Sequence, residues 1–323
     1  MPRHADPDQT RHRRRGRGTI VGTHIPVMPR QVVEVLRPQD AKVVVDCTIG
    51  YGGHALSILR LMPQDAVFIG LDVDGPQLQR TAERLKGLGK DVRLHRCNFS
   101  QLPEILAKEG LDKVDVIFAD LGASSMQIDD PKRGFSYKHP DSPLDMRMDD
   151  RLGTTAADLL LNLSEEELDR ALWELADEPD HQRIAQFIVA QRAVKPITTT
   201  SELIRLIFAA KGTSQKAWLK KKTYHDPHPA ALTFQALRIM VNNELENLRR
   251  LLDIAPGLLN SGGRIAIISF QRGEDMIVRT AFRAGLEQGI YKAICPKAIR
   301  PTINEIRSNP RSSSGRLRWA IRA

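Results

Sequence analysis

A chain of 323 residues, 41% hydrophobic and 27% charged, can bury one full core and add a smaller second domain. Its 48 lysines and arginines outnumber 39 acids, and the resulting +9 points to a polyanionic partner, nucleic acid ahead of an anionic membrane surface. Cys47, Cys97 and Cys295 are far apart, which argues against a zinc ribbon or disulfide framework, and no apolar run of roughly 20 residues or secretory signal occurs, so a soluble protein of a reducing cytoplasm is expected.

Residues 1–22 hold Arg3, Arg11, Arg13, Arg14, Arg15 and Arg17 with almost no large apolar side chain. A disordered basic tail is expected there, either adding nonspecific RNA affinity or forming only a solvated extension. From His24 to Asp120 strand and helix patterns alternate, as in a parallel sheet with right-handed crossovers. Strands are predicted over 42–46, 67–72, 92–96 and 114–120, each buried on both faces, with helices over 55–61, 76–88 and 102–109. From about Arg133 to Tyr224 helical patterns dominate, over 156–161, 164–175, 181–192 and 201–210, which reads as an inserted helical domain. Ser164 and Glu167 form a capping box, and Thr200 or Ser201 is expected to cap the last of these helices. Residues 234–259 read as one long helix or two, interrupted near Pro256. Gly262-Gly263 then leads into a strand over 264–270, and a final strand over 317–321 is expected to close the sheet.

The first strand ends in Asp46-Cys-Thr-Ile-Gly50-Tyr-Gly52-Gly53-His54, three glycines where backbone must turn sharply and approach a ligand. Gly50-x-Gly52-x-x-Ala55 also fits the dinucleotide fingerprint, so the loop alone does not choose a cofactor. Asp72, at the end of the second strand, suits the ribose hydroxyls of adenosylmethionine or of NAD. Asp74 competes for that role but also reads as a helix cap. Phe99 is placed either to pack on an adenine or to join the core. The fourth strand delivers Asp120 and the flexible Leu121-Gly-Ala-Ser-Ser125 to the carboxyl edge, where ligands of open α/β sheets bind.

His24-Ile-Pro-Val, the glycine loop, Leu71-Asp72-Val-Asp74, Asp120-Leu-Gly-Ala-Ser-Ser-Met-Gln127, Arg133-Gly-Phe-Ser136, Pro143-Leu-Asp-Met-Arg-Met-Asp149, Thr233-Phe-Gln-Ala-Leu-Arg238 and Asn309-Pro-Arg311 closely resemble the RsmH (MraW) family of ribosomal RNA cytosine-N4 methyltransferases, over about residues 24–323. The runs at 120–127 and 143–149 are the most specific. The resemblance implies a Rossmann-like class I SAM-dependent methyltransferase fold over 23–132 and 226–323, with an all-helical substrate-recognition domain inserted at 133–225. It implies that S-adenosyl-L-methionine meets Gly52, Gly53, His54, Asp72, Phe99, Asp120 and Gln127. The implied substrate is a cytidine in the decoding region of 16S rRNA, within the small ribosomal subunit or its precursor; no membrane is involved, and a homodimer is compatible. The chain departs from the family at Gln271, where histidine is usual, at Leu232 and Ser313, where arginine is common, and at 176–179, all outside the cofactor motifs of the first half.

Cytosine N4 donates its lone pair into the ring, so its methylation requires alignment of the amine with the methyl donor. Asp120, or backbone carbonyls of the following loop, is expected to accept the amine hydrogens, Asp120 being the candidate catalytic residue. Ring-carbon methylation would need a cysteine nucleophile, and no Pro-Cys pair occurs; Cys47 and Cys97 read as inert buried thiols. Asp145 and Arg147 either shape a cytosine pocket or form a structural ion pair. Lys216, Lys220, Lys221 and Lys222, interleaved with Trp218 and Tyr224, suit phosphate contact and base stacking, and a second basic cluster runs from Arg300 to Arg322. His225 and His228 lack further ligands at metal spacing, so no metal is expected. Two rival readings are an NAD-dependent oxidoreductase and a noncatalytic RNA-binding assembly factor on the same fold.

Overall fold

The computed structural model describes residues 25–139, 141–223 and 226–323; the arginine-rich stretch 1–22, Tyr224 and His225 lie outside the described residues. Pro29–Leu36 (α1) precedes Val43–Asp46 (β1), Gly53–Leu59 (α2), Val67–Asp72 (β2), Gly75–Leu85 (α3), Asp91–Arg96 (β3), Leu102–Lys108 (α4), Val114–Asp120 (β4) and the short Ser125–Asp129 (α5). Five helices follow: Ala156–Asn162 (α6), Glu165–Ala176 (α7), His181–Val194 (α8), Thr200–Ala210 (α9) and Gln215–Lys221 (α10). Ala231–Asn242 (α11) and Glu244–Leu258 (α12) lead back to Leu259–Ser269 (β5), Arg272–Glu287 (α13), Tyr291–Ile294 (β6), Ile303–Ser308 (α14) and Arg316–Arg322 (β7).

The seven strands lie in the order β3-β2-β1-β4-β5-β7-β6, with β7 antiparallel to both neighbours and the other pairings parallel. The order reverses between β1 and β4, giving a doubly wound, Rossmann-like sheet whose switch-point crevice opens at the carboxyl ends of those strands. Alternation along the central strands fills two cores. Val45, Ile69, Ile117 and Ile267 face α4, α12 and α13, while Val44, Phe68, Phe118 and Ala266 face α1, α2 and α3.

Several sequence expectations change. β3 is an edge strand, and its residues are only partly covered rather than buried on both faces. β7 does not close the sheet; it inserts between β5 and β6, a long-range pairing that local pattern does not encode. The helix break expected near Pro256 falls at Asn243, whose left-handed φ of 49° ends α11 and starts α12. Pro256 is tolerated in the last turn of α12. Gly262 and Gly263 lie inside β5 at a register shift, where a Cβ on Gly263 would stand 2.8 Å from the Asn260 carbonyl.

Helices α6 to α9 build a third core with α11, joining Leu168, Leu172, Ile184, Ile188 and Ile207 to Phe234 and Leu237. The helical layer therefore takes in residues beyond position 225. Ser164 and Glu167 cap α7 reciprocally, at 3.1 and 2.8 Å, while α9 is capped by Thr199 with Glu202 rather than by Thr200 or Ser201. Glu178, fully buried, pairs with Lys211 and lies 3.4 Å from the Thr233 hydroxyl, pinning the α7–α8 turn to α9 and α11. Two distant segments also meet: Met28 N donates to Glu305 Oε1 at 2.6 Å, and Asn309 Nδ2 donates to the Ile25 carbonyl at 3.1 Å.

Candidate active site

A cavity of about 860 Å³ occupies the crevice at the sheet's switch point. Its floor is made by the ends of β2, β1 and β4, adjacent strands that bring Asp72, Asp46 and Asp120 side by side. The glycine loop wraps over β1 because Gly50 and Gly52 take left-handed φ of 52° and 77°. Gly50 N donates to Asp72 Oδ2 at 2.8 Å and Asp74 N to Asp72 Oδ1 at 2.9 Å, so both carboxylate oxygens are fixed by backbone while the side chain still borders the cavity. Burial pushes Asp72 up to about 6, against the pull of those two N–H groups.

Asp120 and His54 form the central floor. The imidazole Nε2 is 3.4 Å from Asp120 Oδ2, and the ring tilts against Phe118 at 4.8 Å. Among the described residues Asp120 Oδ1, both ring nitrogens of His54 and Asp46 Oδ2 are buried without a hydrogen-bond partner. Burial of a polar atom without a partner costs free energy, so four such atoms make the layer beneath the cavity an electrostatically costly one. Asp46 lies beneath, 1% exposed, its Oδ1 accepting from Thr48 N at 3.1 Å. Burial pushes its carboxyl up to about 7, opposed first by the charge of His54 and then by the Thr48 N–H.

The other first-half positions are distributed less simply. Gly53 and Phe99 border the cavity, whereas Gly52 turns away, its added Cβ meeting Thr81 Cγ2 at 3.1 Å on α3. Gln127 borders it too, but its amide is committed: Nε2 donates to Asp74 Oδ2 at 3.0 Å and Oε1 accepts from Ser124 N at 2.9 Å. Asp74 is the N-cap of α3 and also accepts from Arg133 Nη1 at 3.0 Å, joining three loops. Asp72 stands at the cavity, and Asp74 holds the surrounding backbone.

Asp145 and Arg147 do not reach the cavity. Arg147 donates from Nε and Nη2 to the two oxygens of Asp145, each at 2.8 Å, and from Nη1 to the Leu152 carbonyl at 2.6 Å, which braces the loop from within. Met148, Asp149, Arg151 and Leu152 of the same loop line the cavity instead. On α10, Lys220 and Lys221 are exposed, but Trp218 packs against Phe208 and His228 with Lys222 over its face, so its ring is already in use. Of the basic cluster near the carboxyl end, Arg318 is held by Asp275 and Arg322 by the carbonyls of Pro256 and Ile290; Arg311 reaches the cavity rim and pairs with Asp129 at 2.6 Å. His228 stacks on Tyr137 at 4.2 Å and accepts from Ala230 N, an anchored loop residue. Among the described residues no group of three or more His, Cys, Asp or Glu is disposed to hold a metal ion.

The roof contains residues that the sequence reading gave no role. Gln235, Arg238 and Asn242 line the cavity from one face of α11, a polar stripe at 3- and 4-residue spacing on an otherwise apolar helix. That stripe was the available signal. Arg238 donates from Nε and Nη2 to the two oxygens of Glu244, at 2.8 and 2.9 Å, and its guanidinium lies about 4 Å from where a Gly122 Cβ would stand. Gln271, at the divergent position, accepts from Gln235 Nε2 at 2.7 Å and donates to Glu274 at 2.9 Å. The departure is thus built into a buried network in which burial raises the Glu274 carboxyl.

The sequence model of the MraW methylase family matches residues 22–323. The Ribosomal RNA small subunit methyltransferase H of Thermotoga neapolitana is 43% identical over 299 residues, covering 92% of this chain and 95% of its own. Proteins of the same name from Geotalea uraniireducens and Clostridioides difficile are 41% and 39% identical, each over 92% of this chain and over 97% and 98% of their own lengths.

Proposed function

The chain belongs to the MraW methylase family, and on that premise we propose that it transfers a methyl group from S-adenosylmethionine to N4 of a cytidine in the decoding region of 16S rRNA, within the small subunit or its precursor. The observation that carries this reading is the convergence, in one cavity, of the glycine loop, Asp72 and the Asp120–His54 pair with its unpaired buried atoms.

The residues present fit the cofactor. Asp72 would hold ribose hydroxyls, each of its oxygens retaining a lone pair beyond the backbone bond it accepts, and the loop from Gly50 to Gly53 runs along the cavity wall. When bound, adenosylmethionine supplies an electrophilic methyl group on a sulfonium. Everything else falls to the chain. The Asp120 carboxylate, which borders the cavity, accepts a hydrogen of the exocyclic amine and turns its lone pair out of the ring plane toward the donor. The same carboxylate takes the proton that the amine sheds once the new bond forms. His54, its Nε2 3.4 Å from Asp120 Oδ2, packs beside the carboxylate and limits how far it can turn.

Cys47 and Cys97 also border the cavity, yet burial raises both thiols, Cys97 up to about 11. Neither is poised as the thiolate that ring-carbon methylation requires, which favours the amine. The test is incubation of purified protein, labelled adenosylmethionine and unmodified 30S subunits, followed by mass spectrometry of nucleosides. N4-methylcytidine at a single site is expected. A ring-methylated cytidine, or tight cofactor binding with no transfer to any subunit, would overturn the reading.

A further inference from the structure

A second concavity of about 560 Å³ lies on the far flank of the molecule, between α13 and the edge strand β6. Arg279 and Arg283 reach it from one face of α13, a single turn and roughly 6 Å apart along the axis, and Lys292 reaches it from β6. All three are exposed, and among the described residues none is within ion-pair distance of a carboxylate, whereas Arg318 at the same groove is taken up by Asp275. Like charges at four-residue spacing weaken a helix, and among the described residues a single acid, Glu287, borders the groove against them. The arrangement therefore favours a polyanion that bridges helix and strand.

The lining also says which part of a nucleic acid fits. Among the described residues the one aromatic side chain lining the groove is Phe282, which is 2% exposed and packed on Tyr291, so these offer no platform for base stacking. Exposed cations without an aromatic platform serve chiefly to contact phosphates and fix register. One helix links the two sites: Glu274 lines the first cavity from the start of α13, and Arg279 and Arg283 stand roughly 7 and 14 Å farther along it, turned toward the flank.

We propose that the α13–β6 groove is a second RNA contact, holding the phosphate backbone of rRNA that flanks the methylated nucleotide. This rests on the reading of the first cavity as an rRNA methylation site. Because the three side chains make no internal hydrogen bond or ion pair among the described residues, Arg279→Ala/Arg283→Ala/Lys292→Ala should leave the fold and cofactor affinity intact. Its affinity for 30S subunits and for deproteinised 16S rRNA should fall by about tenfold or more, KM for subunits should rise with kcat unchanged, and the slope of log affinity against log salt should shrink by about 2. A control triple of exposed cations that do not line the groove, Lys42→Ala/Arg60→Ala/Lys108→Ala, beside β1, α2 and α4, removes the same charge and should change affinity little. Equal losses in both triples, wild-type affinity in the groove variant, or weakened binding to subunits but not to bare 16S rRNA would each overturn the proposal. Failure of the wild-type protein to methylate subunits would instead sink the underlying activity, while the binding measurements would still judge the groove.

Discussion

His54 Nε2 stands 3.4 Å from Asp120 Oδ2, and Asp120 Oδ1 is left buried and unpaired beside it. The imidazole fixes one side of a carboxylate that borders the cavity. Asp120→Asn keeps the shape but replaces an acceptor with a group that cannot take a proton. Single-turnover transfer to 30S subunits should fall by about two to three orders of magnitude; turnover and cofactor affinity at the wild-type level would remove Asp120 from the chemistry.

Asp46 predicts a pH dependence of stability. Its carboxyl is raised from 3.8 to about 7 by burial. A group whose pKa is raised in the folded state contributes stability that is fully present below the unfolded pKa and is lost as pH rises through the folded one, so the loss here spans about pH 4 to 7. At roughly 1.4 kcal/mol per pKa unit the effect is of order a few kcal/mol. Asp46→Asn abolishes this titration, and its melting temperature should therefore decline less than that of the wild type between about pH 5 and pH 8. Parallel declines in the two proteins would contradict it. Asp72 titrates in the same window but is common to both.

Gly52 serves the loop by conformation rather than by touching ligand. With φ of 77° and Thr81 Cγ2 3.1 Å from an added Cβ, Gly52→Ala meets both strain and a neighbour. Urea unfolding should show a loss of about 1–2 kcal/mol. Cofactor affinity should drop with it, because the displaced loop carries the Gly50 N–H that fixes Asp72.

The Arg238–Glu244 pair predicts a third stability effect. Removing the guanidinium leaves Glu244 uncompensated near the buried Glu274, so Arg238→Ala should cost roughly 3 kcal/mol in urea unfolding. Arg238→Lys should rescue little, since a lysine cannot make the two parallel bonds to the Glu244 oxygens. Full rescue by lysine would reduce the interaction to simple charge.

The first half of the sheet was legible because β1, β2 and β4 are central strands whose valines and isoleucines must be buried, and because glycines mark the turn after β1. The flank was harder. Val278, Phe282 and Gly285 trace the buried side of α13, but the surrounding charges dilute the pattern, and the sequence reading assigns no element there. The place of β7 inside the sheet depends on pairing across long separations, which no local window contains. At the site, Asp72 and Asp120 stand out as strand-terminal acids. The pairing of Arg238 with Glu244 does not, because Arg238 becomes a neighbour of Gly122 only when α11 folds back over the sheet.

The tie of Met28 to Glu305, and of Ile25 to Asn309, sets a schedule for synthesis. Ile25 and Val27 line the cavity, yet the residues that fasten them emerge from the ribosome more than 270 positions later, since the Met28–Glu305 separation is 277 residues. A nascent chain can assemble β1 to β4 early, but its pocket has no finished wall until α14 has left the exit tunnel. Emergence of α14, rather than formation of the glycine loop, is then the moment at which the cavity first acquires its full wall.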